Sequence, residues 1–152
     1  EKYLFEMLIL ESFQAGLSWE CVLNKRKDFR IAFDNFDMDK ICNYKEEKVQ
    51  ELLHNDKIIR NKLKINATIN NSKIFKKIQN EYGTFHNYLK TFTNDVIIYE
   101  IDKTTNQLSD DLSKDLQKRG MKFVGSTIIY SYLQAIGIIY SHDKECFMYK
   151  NN

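Results

Sequence analysis

Proline is absent from this chain of 152 residues, and glycine occurs only five times. No alternating apolar–polar run extends beyond a few residues, so nothing in the pattern asks for a sheet. The chain is therefore predicted to be all-α. Each glycine then becomes informative, because it marks a place where a helical backbone has to turn.

The predicted helices follow from apolar spacing. A first helix runs from about Lys2 to Ala15, with Leu4, Met7, Leu8, Glu11 and Ala15 on one face. A second covers Trp19 to Phe33. Asp37 or Asp39 suits the cap of a short turn, and "KEEKVQELL" forms a further helix. "DKIIRNKLKINATINNSKIFKKIQNEYG" reads as one long helix ending near Gly83, with Ile58, Ile59, Ile65, Ile69 and Ile74 among its apolar positions. Thr84 is placed to cap "FHNYLKTF". "TNDVIIYEIDKTTNQ" is irregular and reads as loop with extended character. Ser109 is placed to cap a helix through Lys118, Gly120 to end it in the left-handed conformation, and a last helix spans Gly125 to Ile138.

The length fits a single domain over residues 1–152. Hydrophobic residues make up 43% and aromatics 13%, which implies a packed interior. The net charge of +2 gives no bulk attraction to a polyanion, so a nucleic-acid surface has to come from local clusters of the 23 Lys and Arg. Three cysteines form no disulfide framework and point to a reducing compartment. No run approaches the roughly 18 apolar residues that a membrane span needs, and there is no signal peptide. A cytoplasmic, intracellular location is expected, with no membrane partner. The first residue is Glu1, and a segment preceding it is expected in the natural protein.

Three stretches carry chemistry. In "LSKDLQKRGMKFVGSTIIYSYLQAIG", two helices flank a short connection bounded by Gly120 and Gly125, with Lys118, Arg119 and Lys122 around it. The free N–H groups and positive dipole end of the second helix suit a phosphate, and nearby lysines add salt-dependent affinity. An ordinary helical hairpin with solvated lysines has the same outline. In "ESFQAGLSW", Glu11 sits on an apolar helical face, where a carboxylate needs hydrogen bonds or a cavity. A glutamate at a helix edge is the plainer alternative. Trp19 is either core or site, and Leu17 on its Gly16-Leu17-Ser18 turn is either core or wedge. In "SHDKEC", His142 and Cys146 are four apart, a spacing that suits two zinc ligands, whereas zinc takes four. Cys21 and Cys42 read as small core residues, and His54 and His86 as surface.

These pieces occur together and in order. "LFEMLILESFQAGLSW", "VLNKR", "IIRNKLKI" and "KRGMKFVGSTIIYSYLQAIG" followed by His142-x₃-Cys146 closely resemble the DNA-3-methyladenine glycosylase I family. These are helical, monofunctional base-excision enzymes of the helix-hairpin-helix superfamily. The resemblance runs from about Leu4 to Cys146 and is weakest over 70–109.

It implies a helix-hairpin-helix at about 109–138 and hydrolysis of the N-glycosidic bond of 3-methyladenine. Glu11 becomes the carboxylate of the base pocket, Trp19 its stacking wall, and Tyr130 and Ser131 further base contacts. Gly16 and Leu17 form the turn that fills the gap in the duplex. Lys122, Phe123, Val124, Gly125, Ser126 and Thr127 grip the DNA backbone. His142 and Cys146 supply half of a structural zinc site, whose other two ligands precede the start of this chain in the family. The substrate is double-stranded DNA containing alkylated adenine, bound by a monomer.

This chain has Ser12 where the family usually carries glycine. Superfamily members that also cut the strand use a lysine beside the hairpin; here Gly120, Met121 and Lys122 occupy that place, so no lyase step is expected. Two other readings stay open from the residues. One is a non-catalytic helix-hairpin-helix module that uses the basic clusters at Lys25-Arg26-Lys27 and Lys57 to Lys64. The other is a helical scaffold for protein partners.

Overall fold

The structure is a computed structural model and describes residues 1–14 and 19–140, without the side chains of Trp19, Val22 and Leu23. Helix α1 (Lys2–Gln14) is the centre of the molecule. Every residue from Phe5 to Phe13 is buried. The one-sided apolar face expected from spacing is therefore only part of the picture: a helix buried all round is a core helix. Its two polar positions off that face both find partners. Ser12 Oγ donates to Leu8 O at 2.9 Å, which explains how a serine fits among apolar neighbours. Glu6 Oε2 accepts from Arg26 Nε at 2.8 Å and Arg30 Nε at 2.9 Å.

That ion pair accounts for the next departure. The single helix expected over Trp19 to Phe33 is two, α2 (Trp19–Asn24) and α3 (Arg26–Ala32), broken at Lys25, whose ψ is 3°. The break sets Arg26 and Arg30, one turn apart, against the same carboxylate of α1. Phe29 and Phe33 then pack on Phe13, with ring centroids 4.9 and 6.0 Å away. The chain next makes a left-handed turn at Asp34–Phe36, with φ of 53°, 56° and 55°. Tyr44 Oη donates to Asp34 Oδ2 at 2.6 Å beside it. Asp37 caps α4 (Met38–Cys42) by accepting from the backbone of Asp39 and Lys40, and α5 (Glu46–Leu53) is the "KEEKVQELL" helix.

The long helix α6 (Lys62–Tyr82) begins later than expected, because Asn61 rather than Asp56 supplies the cap and accepts from Lys64 N. Thr84 caps α7 (Phe85–Thr93) as predicted, and the Glu1 carboxylate also accepts from Phe85 N and His86 N at that helix's first turn. Within the irregular stretch, Ile98–Tyr99 (β1) pairs in parallel with Ile139–Tyr140 (β2), a two-residue ladder added to an otherwise helical fold. Helix α8 (Gln107–Lys118) is capped by Asn106. Ser109, the expected cap, is its reciprocal partner three residues on, closing a capping box.

Helix α9 (Ser126–Ala135) stops three residues short of expectation. Gly137 takes φ of 85°, and Ile138 N turns back to Leu133 O at 2.9 Å, which ends the helix and launches β2. Cys21 and Cys42 are half-buried rather than core, while His54 and His86 are exposed as expected.

Candidate active site

Helices α1 and α9 lie side by side and are tied where α1 begins and α9 ends: Tyr132 Oη donates to Leu4 O and Tyr3 Oη to Ala135 O, each at 2.9 Å. Between them opens a cavity of about 350 Å³ lined by Glu11, Gln14, Ser131, Gln134 and Ala135. Its volume sits at the lower end of ligand pockets and suits one purine base rather than a whole nucleotide. Glu11 is 3% exposed, and its Oε2 has no hydrogen-bond partner among the described residues. Burial pushes its carboxyl up to about 7. A buried, unsatisfied carboxylate oxygen facing an open cavity is ready to accept from, or pair with, whatever enters.

The opposite wall is polar but uncharged. Ser131, Gln134 and Ala135 lie within one turn and a third of α9, and Gln14 stands one turn beyond Glu11 on α1. Ser131 is a residue the sequence points to, whereas Gln14, Gln134 and Ala135 are not. Spacing of three and four from Glu11 and Ser131 was the signal that would have found them.

Tyr130, expected beside Ser131 as a base contact, is 2% exposed and does not line the cavity. Its hydroxyl donates to Glu100 Oε1 at 2.8 Å. Adjacent residues on a helix are rotated by about 100°, and here the rotation sends Tyr130 toward Glu100 while Ser131 faces the cavity. Gly16, Leu17, His142 and Cys146 lie outside the described residues, as does the side chain of Trp19, which opens α2. Among the described residues no group of three or more His, Cys, Asp or Glu is placed to hold a metal ion.

The hairpin between α8 and α9 is built from the backbone outward. Arg119 ends α8, Gly120 has φ of 101°, and Gly120 N and Met121 N return to Gln117 O and Leu116 O. That is a Schellman motif, and both of its apolar positions, Leu116 and Met121, are buried. An added Cβ at Gly120 would also meet Ile74 Cδ1 at 3.4 Å. Val124 is buried, and its carbonyl accepts from Ser113 Oγ at 2.7 Å.

Gly125 stands at the N-cap of α9 with no side-chain cap, and space is open where its Cβ would be. The first N–H groups of α9 thus have no side-chain cap, the condition in which a helix N-terminus favours an anion. Lys122 and Thr127 are exposed, whereas the Ser126 hydroxyl is held by Asp110 and Ser109. Phe123 is half-buried, with Lys64 Nζ 5.8 Å from its ring centroid. Arg119, expected to add positive charge here, is half-buried and committed to other partners. It pairs with Asp115 and Glu81, both at 2.8 Å, and lies over Tyr82 and Tyr88.

A helical domain with a purine-sized cavity around a buried carboxylate and a glycine-bounded hairpin has the make-up of a helix-hairpin-helix base-excision protein. The sequence profile described as "Methyladenine glycosylase" matches residues 1–149, and the chain belongs to that family. It is 40% identical over 158 aligned residues to DNA-3-methyladenine glycosylase 1 of Escherichia coli K12, covering 99% of this chain and 84% of that protein. It is 34% identical over 149 to the DNA-3-methyladenine glycosylase of Haemophilus influenzae, covering 94% and 80%.

Among solved structures, a crystal structure of 3-methyladenine DNA glycosylase I superposes with a TM-score of 0.91 at 40% identity, over 97% of this chain and 84% of that one. The Staphylococcus aureus enzyme, solved to explain 3-methyladenine recognition, gives 0.90 at 31% identity, over 99% and 84%.

Proposed function

We propose that this chain excises 3-methyladenine from alkylated double-stranded DNA by hydrolysing the N-glycosidic bond, with water as nucleophile and no lyase step. The observation that carries the reading is the buried Glu11 Oε2, which has no hydrogen-bond partner among the described residues, at the open cavity. Family membership supports the substrate, since relatives at 34–40% identity carry this activity in their names.

The chemistry asks little general-acid help of the protein. N3-methylation leaves the base cationic, so the bond from the base nitrogen to C1′ breaks with its electron pair going to a base that departs neutral. Positive charge then develops on the sugar, water adds at C1′, and the proton lost goes to solvent. Glu11 contributes in two ways. As a carboxylate it attracts the cationic base, and that base in turn favours the ionised form by displacing the carboxyl pKa downward from about 7. As fixed negative charge in a desolvated pocket it stabilises the cation developing on the sugar.

Ser131 and the amides of Gln14 and Gln134 offer neutral hydrogen bonds to the adenine edge, and Trp19 is assigned the stacking wall, where cation–π attraction favours a charged purine. A damaged base that pairs weakly is also the least costly to extrude. Gly16 and Leu17 are assigned to fill the gap it leaves. Lys122 and the first N–H groups of α9, at Ser126 and Thr127, are assigned to a backbone phosphate. The packing of Phe123 and Val124 keeps the turn in place. His142 and Cys146 offer two of the four positions of a structural zinc; the reaction uses none of them.

Release of 3-methyladenine from methylated DNA tests the reading. Glu11→Gln is expected to slow it roughly a hundredfold, the lower end of what one aimed electrostatic group supplies. Wild-type release by this variant would remove Glu11 from the mechanism. Strand nicking that borohydride traps on the protein would overturn the monofunctional assignment.

A further inference from the structure

We infer that Asn71 is a positioning residue for DNA binding, holding the hairpin from outside the motif; the inference rests on the reading of that hairpin as the DNA grip. Asn71 belongs to α6, is 1% exposed, and lies 51 residues from its partner in sequence. Its amide meets both backbone groups of Lys122. Lys122 N donates to Asn71 Oδ1 at 2.9 Å, and Asn71 Nδ2 donates to Lys122 O at 2.9 Å. The side chain thus pairs with Lys122 as a neighbouring strand's peptide would.

The orientation of the amide is fixed by its surroundings: Asn71 Oδ1 also accepts from Asn70 Nδ2 at 3.3 Å, and Asn70 Nδ2 donates to Gly120 O at 2.9 Å. Two consecutive asparagines therefore hold the turn at Gly120 and at Lys122. These bonds are needed because of the residue after Lys122. Phe123 has φ of 58°, a left-handed conformation that a residue with an aromatic side chain adopts only when its surroundings impose it. Lys122 on one side is clamped by Asn71, and Val124 on the other by Ser113. Loss of the Asn71 clamp releases Phe123 toward ordinary backbone angles and turns Lys122 and the N-terminus of α9 away from a common phosphate. The base cavity is built from α1 and α9, so its affinity for a free base is set elsewhere.

The test uses two uncharged replacements, Asn71→Leu, of the same branched shape but unable to hydrogen-bond, and Asn71→Ser, too short to reach both groups. Three quantities are measured: affinity for a duplex bearing an abasic-site analogue, affinity for free 3-methyladenine by Trp19 fluorescence, and the thermal midpoint. Duplex affinity is expected to fall about tenfold or more, the size of two backbone hydrogen bonds, with free-base affinity within about twofold of the unmodified protein. Excision should show a raised KM and a kcat near that of the unmodified protein.

Unchanged duplex affinity in the variants overturns the inference. So does a parallel loss of duplex and free-base affinity, which would mark Asn71 as a general core residue. If Asn71→Leu does not fold, Asn71→Ser decides. Lys122→Gln separates the levels: if it binds the duplex as tightly as the unmodified protein at low salt, the hairpin is not the DNA grip and the underlying reading falls too. If Lys122→Gln weakens binding and the Asn71 variants do not, only the clamp is wrong.

Discussion

Replacing Glu11 with glutamine changes one atom of a side chain that is 3% exposed, and it is expected to make the protein more stable and less active at the same time. The carboxyl ionises near the ordinary value of 4.5 in the unfolded chain and near 7 in the folded one, because burial opposes its charge. Between those two values the folded state holds a proton that the unfolded state has released. Stability therefore falls as pH rises from about 4.5 to about 7 and is level above it. A displacement of this size is worth on the order of 3 kcal/mol of lost stability above pH 7.

Glutamine stays neutral throughout and escapes that loss. Urea unfolding of both proteins at pH 5 and pH 8 reads the effect directly. The variant should exceed the parent at pH 8 by up to that amount, with the gap much smaller at pH 5. Excision by the parent should rise with pH toward 8 in the same window, as the carboxylate forms. Equal stability of the two proteins at both pH values would refute the claim that Glu11 is held desolvated at the cavity. A gap that widens toward acid would refute its sign.

Glu6, one and a half turns earlier on the same helix, should behave in the opposite way. Burial raises its carboxyl, but hydrogen bonds and charge from Arg26 and Arg30 outweigh it and hold the group below the ordinary range. Its stabilisation is present at neutral pH and lost as pH falls through the acid range, so Glu6→Gln should lower stability by roughly 1–3 kcal/mol at pH 7, with the difference closing in acid, as followed by urea unfolding. Gly120→Ala places a Cβ on a residue with φ of 101° and 3.4 Å from Ile74 Cδ1. It should lower stability by about 1–2 kcal/mol, a downward thermal shift of several degrees measured by calorimetry. An unchanged midpoint would mean the hairpin relaxes without strain.

The helical class, the hairpin and the carboxylate were legible because each leaves a local mark: no proline, two glycines bounding a turn, a charge on an apolar face. What was not legible depends on partners distant in sequence. The break at Lys25 comes from Glu6, twenty residues upstream of Arg26. The late start of α6 is decided by Asn61 over Asp56, two residue types that are equally good caps. Arg119 looks like a DNA contact from its neighbours Lys118 and Lys122, yet Glu81 and Asp115 claim it. Asn70 and Asn71 are two among many Asn and Lys in the long helix and carry no mark of their own in the sequence, although both side chains grip the turn. In the cavity, Ser131 followed from resemblance, whereas Tyr130 shows the limit of transferring neighbours as a pair.

Helix α1 is buried from Phe5 through Phe13, and this settles where the pocket can vary. Its amides should exchange with solvent only on global opening, so Glu11 rides on the slowest-exchanging part of the chain. Substitutions beside it disturb Phe13, Leu8 and Leu10, each fully enclosed. The facing wall carries no such constraint: Ser131, Gln134 and Ala135 are half-buried on α9. A change in which modified base is accepted can therefore be written on α9 at small cost, while the carboxylate that handles the charge stays where the core puts it.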